Sequence, residues 1–281
     1  MDIDTALVVG ATGNVGAEVV RALVELGVPA VRALSRRGAP VDGATAVTGD
    51  LGDRASVADA WRGVDAVFLP AGHPDPPGLL ADMRAAGVRR VVLLSTGAVV
   101  GGDLDNAVTR FNVVSEAAVR DAELAWTVLR PSGFMSNALG WAPLTGVVRE
   151  PFADVGVAVI DPADIGAVAA RALTDPGLAG RSLRLTGPEV SLPADRLAVL
   201  ADLLGRDLRL EPEPDDAARA RMSGTMPERY VDAFFRFFRG GEYDDGHVTS
   251  VVPDLLGRPA RTFREWAEVH LDAFRAETVR P

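Results

Sequence analysis

The chain has 281 residues, of which 48% are hydrophobic, 24% charged and 6% aromatic. This balance is typical of globular proteins and excludes disordered and fibrous classes. Lys and Arg number 29 against 39 Asp and Glu, and the net charge of -10 argues against direct nucleic-acid binding because it repels phosphates. No run approaches the roughly 18 apolar residues of a membrane span, and Asp2 and Asp4 stand where a signal peptide carries cations. We therefore expect a cytoplasmic protein without membrane contact.

Lysine and cysteine are both absent from the sequence, so all 29 cations are arginine. The absence of lysine excludes Schiff-base chemistry and a Tyr-Lys proton donor. The absence of cysteine excludes disulfides, thiolate nucleophiles and cysteine-ligated metals. The three histidines, His73, His247 and His270, lack the spacing of a metal site or a hydrolase triad. We expect no bound metal.

Short apolar runs alternate with helical patterns through the first half of the chain. Strands are predicted at 6–9, 30–34, 44–47, 66–69, 91–94 and 126–129. Helices are predicted between them at 15–26, 56–61, 79–86 and 107–122. Strands that are apolar on both faces belong to a parallel sheet covered by helices. Residues 1–130 are therefore predicted to form a Rossmann-type doubly wound α/β domain.

The second half, residues 131–281, is predicted to be a smaller and mainly helical part. Its predicted helices lie at 161–173, 192–204, 215–222, 228–239 and 261–275. One further strand is predicted at 182–185, and the sequence leaves open whether it joins the central sheet. The acidic, proline-rich segment 211–216 is predicted to be a hinge.

A G-x-x-G-x-x-G motif stands between the first predicted strand and the first predicted helix. Gly10 permits the tight turn, Gly13 lets the backbone approach a pyrophosphate, and Gly16 lets the helix pack closely on the sheet. Amides at the start of the helix then bind anionic oxygens. The predicted dinucleotide-binding turn comprises Gly10, Thr12, Gly13, Asn14, Val15 and Gly16.

Ser35 and Arg36 end the second predicted strand, about twenty residues after this motif, where an NAD site carries a carboxylate. No carboxylate is present, and arginine suits the 2′-phosphate of NADP. We therefore predict NADP(H) over NAD(H), with Arg36 as the main phosphate ligand and Ser35 assisting. Asp50 and Leu51 follow the third strand and are expected to contact the adenine. Capping of the next helix by Asp50 or Asp53 is the alternative role.

Further motifs extend along the chain: VDAVFL at 64–69, RVVLLST at 90–96, WTVLRPSGFMSN at 126–137, DPADI at 161–165, LTGP at 185–188 and LGRPARTFREWAEVH at 256–270. Together with the glycine motif, they make nearly the whole chain resemble atypical short-chain dehydrogenase/reductases of the NmrA-like family. Members of this family include NAD(P)H-dependent quinone and azo reductases, isoflavone-type reductases, and regulators that only bind the dinucleotide.

The resemblance implies that the nicotinamide lies over the carboxyl ends of the fourth to sixth strands. The residues expected around it are Leu69, Pro70, Ser95, Thr96, Asn112 and Pro131. The substrate is expected between this edge and the helical part, which would be the substrate-binding part. Its predicted walls are Val99, Phe134, Met135, Asn137 and Trp141, with Met226 and Phe234 as further candidates.

The chain departs from the superfamily at its usual catalytic pair, a Tyr-x-x-x-Lys on the helix after the fifth strand. With Glu116 at the family's acidic position, the tyrosine and lysine fall near Val108 and Asn112, so both are missing. Asn112 is still expected to hydrogen-bond the ribose. Thr96 stands at the position of the superfamily's helper hydroxyl, and His73 is the histidine nearest the nicotinamide end. Thr96 and His73 are therefore the candidate catalytic residues.

The leading hypothesis is an NADP(H)-dependent oxidoreductase that transfers hydride to a conjugated small molecule such as a quinone, an enone or a polyketide-like aromatic. Such acceptors need little acid catalysis, which agrees with the missing pair. Two alternatives remain open: a noncatalytic redox sensor with a protein partner, and a non-redox cyclase or isomerase. Tyr230 and Tyr243 lie far along the chain and receive no role. The aromatic cluster at 234–238 fits a cleft cover or a dimer contact, so the oligomeric state is not assigned.

Overall fold

A central parallel sheet organises the chain in a computed structural model, which describes residues 3–101 and 103–275. Nine strands are found in this described part: β1 (Thr5–Val9), β2 (Ala30–Ser35), β3 (Thr45–Thr48), β4 (Ala66–Pro70), β5 (Arg90–Leu94), β6 (Ala125–Pro131), β7 (Val147–Glu150), β8 (Arg181–Leu185) and β9 (Arg209–Pro212). Seven of them form the sheet in the order β3-β2-β1-β4-β5-β6-β8, and β7 pairs with β9 separately. The strand order reverses between β1 and β4, where open α/β sheets bind their ligands.

Eleven helices are found in the same described ranges: α1 (Asn14–Glu25), α2 (Arg54–Val57), α3 (Pro76–Ala85), α4 (Ala107–Asp121), α5 (Pro162–Thr174), α6 (Pro193–Leu204), α7 (Asp215–Ser223), α8 (Glu228–Phe238), α9 (Val251–Leu256), α10 (Phe263–Val269) and α11 (Leu271–Phe274). Short 3-10 helices lie at Gly97–Val99, Met135–Trp141 and Pro176–Leu178. No helix within these ranges combines the length and the hydropathy that a membrane crossing requires.

Helices cover both faces of the sheet, so its strands bury apolar side chains on both sides. In β1, Val8 belongs to the core under α1 and α5, whereas its neighbour Leu7 belongs to the core on the opposite face, under α3. Both side chains are fully buried. Helix α5 approaches α1 so closely that a Cβ at Gly166 would lie 2.6 Å from the backbone carbonyl carbon of Glu18. The predicted Rossmann-type α/β fold is confirmed.

The second half contributes both to the sheet and to a separate core. Helix α5 and strand β8 complete the sheet layer, so the predicted strand at 182–185 does return to it. The remaining elements enclose a third hydrophobic cluster, in which Trp266 of α10 is 1% exposed and packs with α6 and α11. A boundary at residue 130 therefore does not separate the sheet from the helical part, because α5 and β8 lie after it.

Three local predictions differ from the structure. The predicted helix at 56–61 is a single turn, α2, after which i→i+3 hydrogen bonds such as Ala60 to Val57 replace the helical pattern. The predicted helix at 261–275 begins only at Phe263, because Thr262 and Glu265 form a capping box, and it is interrupted at His270. The segment 211–216 is not a free hinge, since its first residues belong to β9, and α7 begins within it.

Candidate functional site

The turn between β1 and α1 is built for a close approach of backbone atoms. Gly10 has a positive φ of 68° and its amide donates to the Leu34 carbonyl at 3.0 Å. A Cβ at Gly16 would lie 2.7 Å from the carbonyl carbon of Gly10, so only glycine fits there. Gly13 is the N-cap of α1 and supplies no side chain, which leaves the amides of Asn14 and Val15 at the helix start available to an anionic ligand.

A cavity of about 400 Å³ lies beside this turn and is lined by Thr12, Ser35, Arg36, Arg37 and Ala39. The structure thus brings together the predicted residues Thr12, Ser35 and Arg36, and it adds Arg37. Neither Arg36 nor Arg37 forms an ion pair or a side-chain hydrogen bond with any described residue. Two uncompensated guanidinium groups next to a helix start fit a dinucleotide that carries an additional phosphate.

The loop after β3 divides its two aspartates between different roles. Asp53 caps α2 and accepts a hydrogen bond from the Ala55 amide at 3.1 Å. Asp50 accepts from the Gly52 amide at 2.9 Å and stays exposed at the carboxyl edge of the sheet. Leu51 is 8% exposed and belongs to the core below this edge. Helix capping therefore falls to Asp53, and the predicted adenine contacts of Asp50 and Leu51 stay predictions.

Glu116 of α4 ties together the ends of two central strands. Its buried carboxylate accepts hydrogen bonds from the Ser95 hydroxyl at 2.7 Å, from Arg130 at 2.9 and 2.6 Å and from Arg120 at 2.6 Å. Burial alone would raise the pKa of Glu116, but the hydrogen bonds from Arg130, Ser95 and Arg120 outweigh it and lower that pKa. The hydroxyl of Ser95 is therefore engaged by a carboxylate and shapes the edge of the site.

Thr96 and Asn112 also use their side chains locally. The Thr96 hydroxyl oxygen accepts from the Ala98 amide at 3.3 Å, at the start of a 3-10 helix. The Asn112 amide donates to the Val108 carbonyl at 2.9 Å, one turn earlier on α4. The carbonyl oxygen and the second amide hydrogen of Asn112 stay available for the predicted ribose contact.

His73 lies half-buried in the loop that follows Pro70 at the end of β4. Its buried Nε2 atom has no hydrogen-bond partner among the described residues. Burial lowers the pKa of His73 below its ordinary value of 6.5, against the opposing effects of the Pro70 carbonyl and Asp50. The imidazole is thus neutral at physiological pH and is no source of a charged acid.

The structure brings together one polar cluster, at the carboxyl ends of β6 and β8, that the sequence did not indicate. Arg184 of β8 donates to the Tyr243 hydroxyl at 2.5 Å and to Asp245 at 2.8 Å. Tyr243 donates to Asp245 at 2.5 Å, and the Gly133 amide donates to the same carboxylate at 2.8 Å. A side chain at Gly97 would overlap both Arg184 and Tyr243. These residues come from four distant segments, so no spacing in the sequence relates them.

A larger cavity of about 780 Å³ is lined by residues between Gly133 and Asp245, all of them in the second half of the chain. Six of the residues predicted for the substrate walls line it: Phe134, Met135, Asn137, Trp141, Met226 and Phe234. Val99 does not line it and lies instead in a 3-10 helix, 9% exposed. Further apolar walls come from Phe152, Val155, Val157, Val159, Met222 and Phe238. The charged lining residues are Arg149, Glu150, Arg196, Glu213, Arg221 and Asp245.

The dinucleotide turn and the cavity agree with a comparison to known families. Residues 10–176 match the model of the NAD(P)H-binding family. The chain belongs to this family. Within it, the chain falls in the atypical short-chain dehydrogenase/reductase, NmrA-like group, as the sequence resemblance indicates. The dinucleotide-binding turn at Gly10 to Gly16 therefore belongs to an NAD(P)H-binding domain.

Relatives of this NAD(P)H-binding chain span its whole length. A (4-alkanoyl-5-oxo-2,5-dihydrofuran-3-yl)methyl phosphate reductase from Streptomyces griseus is 43% identical and covers 96% of this chain and 99% of its own. An NAD(P)H azoreductase from Xenophilus azovorans is 35% identical with the same coverage of both chains, 96% and 99%. The crystal structure of an NADPH-dependent quinone oxidoreductase from Escherichia coli, complexed with NADPH, superposes with a TM-score of 0.76 at 23% identity, covering 94% of this chain and 99% of that one. This last likeness shows the fold.

Proposed function

We propose that the chain is an NADPH-dependent reductase that transfers hydride to a conjugated lactone carrying an alkanoyl chain and a phosphate. The relative from Streptomyces griseus, at 43% identity, reduces an acceptor of this chemical class. The observation that carries the proposal is the cavity of about 780 Å³ next to the carboxyl end of β6, whose lining combines apolar and charged residues. An acyl chain suits the apolar lining residues, and a phosphate suits the charged ones.

The chemistry of such an acceptor agrees with the missing Tyr-Lys pair. In a 4-alkanoyl-5-oxo-2,5-dihydrofuran, the ring double bond is conjugated to both the ring carbonyl and the alkanoyl carbonyl. Bound NADPH supplies the hydride, which adds to C3, and the resulting anion at C4 is stabilised by the two carbonyls. Solvent can protonate C4, so a strong protein acid is unnecessary. The lowered pKa of His73 and the raised pKa of Tyr243 suit this route.

The preference for NADPH rests on the uncompensated guanidinium groups of Arg36 and Arg37 and on the absence of a carboxylate at the end of β2. Ser35 accepts from the Ala39 amide at 3.2 Å and keeps this loop folded next to Arg36. The proposed role of the loop is to hold the 2′-phosphate.

The proposal is tested by following NADPH absorbance with a (4-alkanoyl-5-oxo-2,5-dihydrofuran-3-yl)methyl phosphate as acceptor. We expect turnover with NADPH, weaker turnover with NADH, and none with the ring-saturated analogue, which lacks the double bond. A simple quinone serves as a second acceptor. Binding of NADPH without turnover on either acceptor would contradict the proposal and favour a dinucleotide sensor.

A further inference from the structure

One arginine that lines the large cavity forms no ion pair with any described residue. The guanidinium of Arg196 lines this cavity and donates from Nη1 to the Ser191 carbonyl at 2.9 Å and to the Ser191 hydroxyl at 3.2 Å. No carboxylate among the described residues forms an ion pair with it, and its Nε and Nη2 atoms have no hydrogen-bond partner there.

The two other arginines of the cavity differ in this respect. Arg149 is paired with Glu211 at 3.2 Å, and Arg221 is paired with Glu213 at 2.6 Å. Their charges are already neutralised by carboxylates of the protein. Arg196 is the cavity arginine, within the described ranges, whose charge is left for a ligand.

The surroundings of Arg196 make an unpaired cation costly. The side chain is half-buried, and burial lowers its pKa. A charge that is partly removed from water without a partner destabilises the protein. A bound anion would remove this cost, and the planar guanidinium offers two free donors for a bidentate contact with phosphate.

Two carboxyl groups, Glu150 and Asp195, act on the charge of Arg196 and oppose the effect of burial on its pKa, although neither forms an ion pair with it. Of the two, Glu150 lines the cavity. It accepts a hydrogen bond from the Trp141 indole at 2.7 Å, and burial raises its pKa. Protonated, this group can donate to a phosphate; ionised, it repels one. The other charged groups that line this cavity are the Arg221–Glu213 pair, Arg149, which is paired with Glu211, and Asp245.

We propose that Arg196 binds the phosphate of the substrate, while the apolar wall formed by Phe134, Phe234 and Phe238 accepts its hydrocarbon chain. This inference rests on the proposed function, because it assigns the phosphate and the hydrocarbon chain of the same acceptor to the charged and the apolar lining of one cavity. It also gives the acceptor an orientation, with its phosphate toward Arg196 of α6.

The test is calorimetric titration of the full chain, saturated with NADP⁺, with hexyl phosphate and with the uncharged 1-hexanol. We expect Arg196→Met to weaken hexyl phosphate binding by about 10- to 100-fold, the range for hydrogen bonds to a charged group, and to leave hexanol and NADP⁺ unchanged. Arg264→Met, which removes the same charge outside the cavity from the exposed Arg264–Asp202 pair, is the control and should bind like the wild type.

Glu150→Gln separates a direct role of Arg196 from a structural one. It removes the repelling carboxylate but keeps an acceptor for Trp141, so hexyl phosphate should bind as tightly as in the wild type or more tightly. The inference would be overturned if the wild type did not bind hexyl phosphate, or if Arg196→Met bound it as tightly as the wild type. It would also be overturned if Arg196→Met lost hexanol binding to the same extent. Because the titration measures binding without turnover, its result can be interpreted even if the reductase assay fails.

Discussion

The Ser95 hydroxyl donates a hydrogen bond to the buried carboxylate of Glu116 across 2.7 Å. Ser95 follows β5, whereas Glu116 lies on α4, the helix on which the family resemblance places the missing Tyr-Lys pair. Arg130 of β6 holds the same carboxylate at 2.6 Å. The helix lacks the catalytic pair and anchors the carboxyl ends of β5 and β6.

This anchor makes Glu116→Gln a test of stability. The side chain of Glu116 is 2% exposed and neutralises Arg120 and Arg130. Breaking a buried ion pair by removing one partner costs about 3 to 5 kcal/mol. Because both arginines are partly exposed and glutamine keeps a hydrogen-bond acceptor, we expect the lower end, about 3 kcal/mol, in the free energy of unfolding by urea.

The matched control is Glu123→Gln, which breaks the surface pair of Arg84 and Glu123, whose side chains are 59% and 68% exposed. An exposed pair contributes about 0 to 1 kcal/mol. If the two variants lost the same stability, Glu116 would not be the anchor described above.

The same carboxyl group predicts how stability depends on pH. The pKa of Glu116 is lowered from its ordinary 4.5, because hydrogen bonds, chiefly from Arg130, outweigh the effect of burial. Such a group stabilises the folded state above its unfolded pKa, and this contribution is lost as pH falls through the folded pKa. The stability difference between wild type and Glu116→Gln should therefore be constant above pH 4.5 and shrink below it, in urea unfolding at a series of pH values. A difference that grows on acidification would contradict the assignment.

Gly16→Ala tests the close approach at the dinucleotide turn. Its Cβ would lie 2.7 Å from the Gly10 carbonyl carbon and 2.9 Å from the Ala11 Cα, so α1 must move away from the turn. We expect a loss of about 1 to 3 kcal/mol in unfolding free energy, as for other overpacked sites. We also expect NADPH affinity, followed by fluorescence titration, to fall more than about tenfold because the helix-start amides are displaced.

Gly166→Ala on α5 provides the control, because it also introduces a Cβ against the backbone of α1. Its Cβ would lie 2.6 Å from the Glu18 carbonyl carbon, where α5 crosses α1 away from the dinucleotide turn. A similar loss of stability with unchanged NADPH affinity is expected. Equal losses of affinity in Gly16→Ala and Gly166→Ala would show that the effect comes from unfolding and not from the turn.

Arg36→Ala tests cofactor preference. The guanidinium of Arg36 has no partner among the described residues, so its removal leaves no protein carboxylate unpaired. We expect NADPH to bind about 10- to 100-fold more weakly and NADH to change little, since a hydrogen bond to a charged phosphate is worth about 1.5 to 3 kcal/mol. Arg62→Ala, which removes a cation before the amino end of β4 from the exposed pair with Asp59, should leave both affinities unchanged. Equal weakening of both cofactors in Arg36→Ala would contradict the 2′-phosphate contact.

The sequence predicted the central sheet because a covered parallel strand is apolar on both faces, as Leu7 and Val8 show. Strands β7 and β9 were not predicted, because most of their residues are not buried. Three of the four residues of β7 are exposed or half-buried, and β9 ends in Pro212, which cannot donate a ladder hydrogen bond. Their pairing depends on tertiary packing and leaves no periodic pattern.

The candidate site divides in the same way. The glycine turn and Ser35-Arg36 are local motifs, so the sequence predicted which residues would meet at the cavity beside the turn. Arg184 and Tyr243 are separated by 59 residues and meet only because β8 returns to the sheet. Arg196 was missed because its significance lies in the absence of an ionic partner, which only the folded structure defines.

Tyr243 beside Arg184 has the composition of a tyrosine-cation pair, so its role decides whether the chain has regained a proton donor. Burial raises the pKa of Tyr243, and the neighbouring Asp245 raises it further, against the opposing effect of Arg184. In a Tyr-Lys pair the cation lowers the pKa of the phenol, whereas here the carboxylate reverses the balance. Tyr243 therefore stays protonated and holds Asp245, which in turn holds the Gly133 amide at 2.8 Å.

Tyr243→Phe distinguishes the two roles. If the hydroxyl is structural, we expect unfolding free energy to fall by about 1.5 to 3 kcal/mol, the worth of a hydrogen bond to a charged group. The kcat with the conjugated lactone should change less than about tenfold, because general acid catalysis would contribute about 100-fold or more. Steady-state kinetics across pH then provides the decisive readout, since a structural hydroxyl leaves the shape of the kcat profile unchanged. A kcat loss of about 100-fold at unchanged stability would instead make Tyr243 the proton donor.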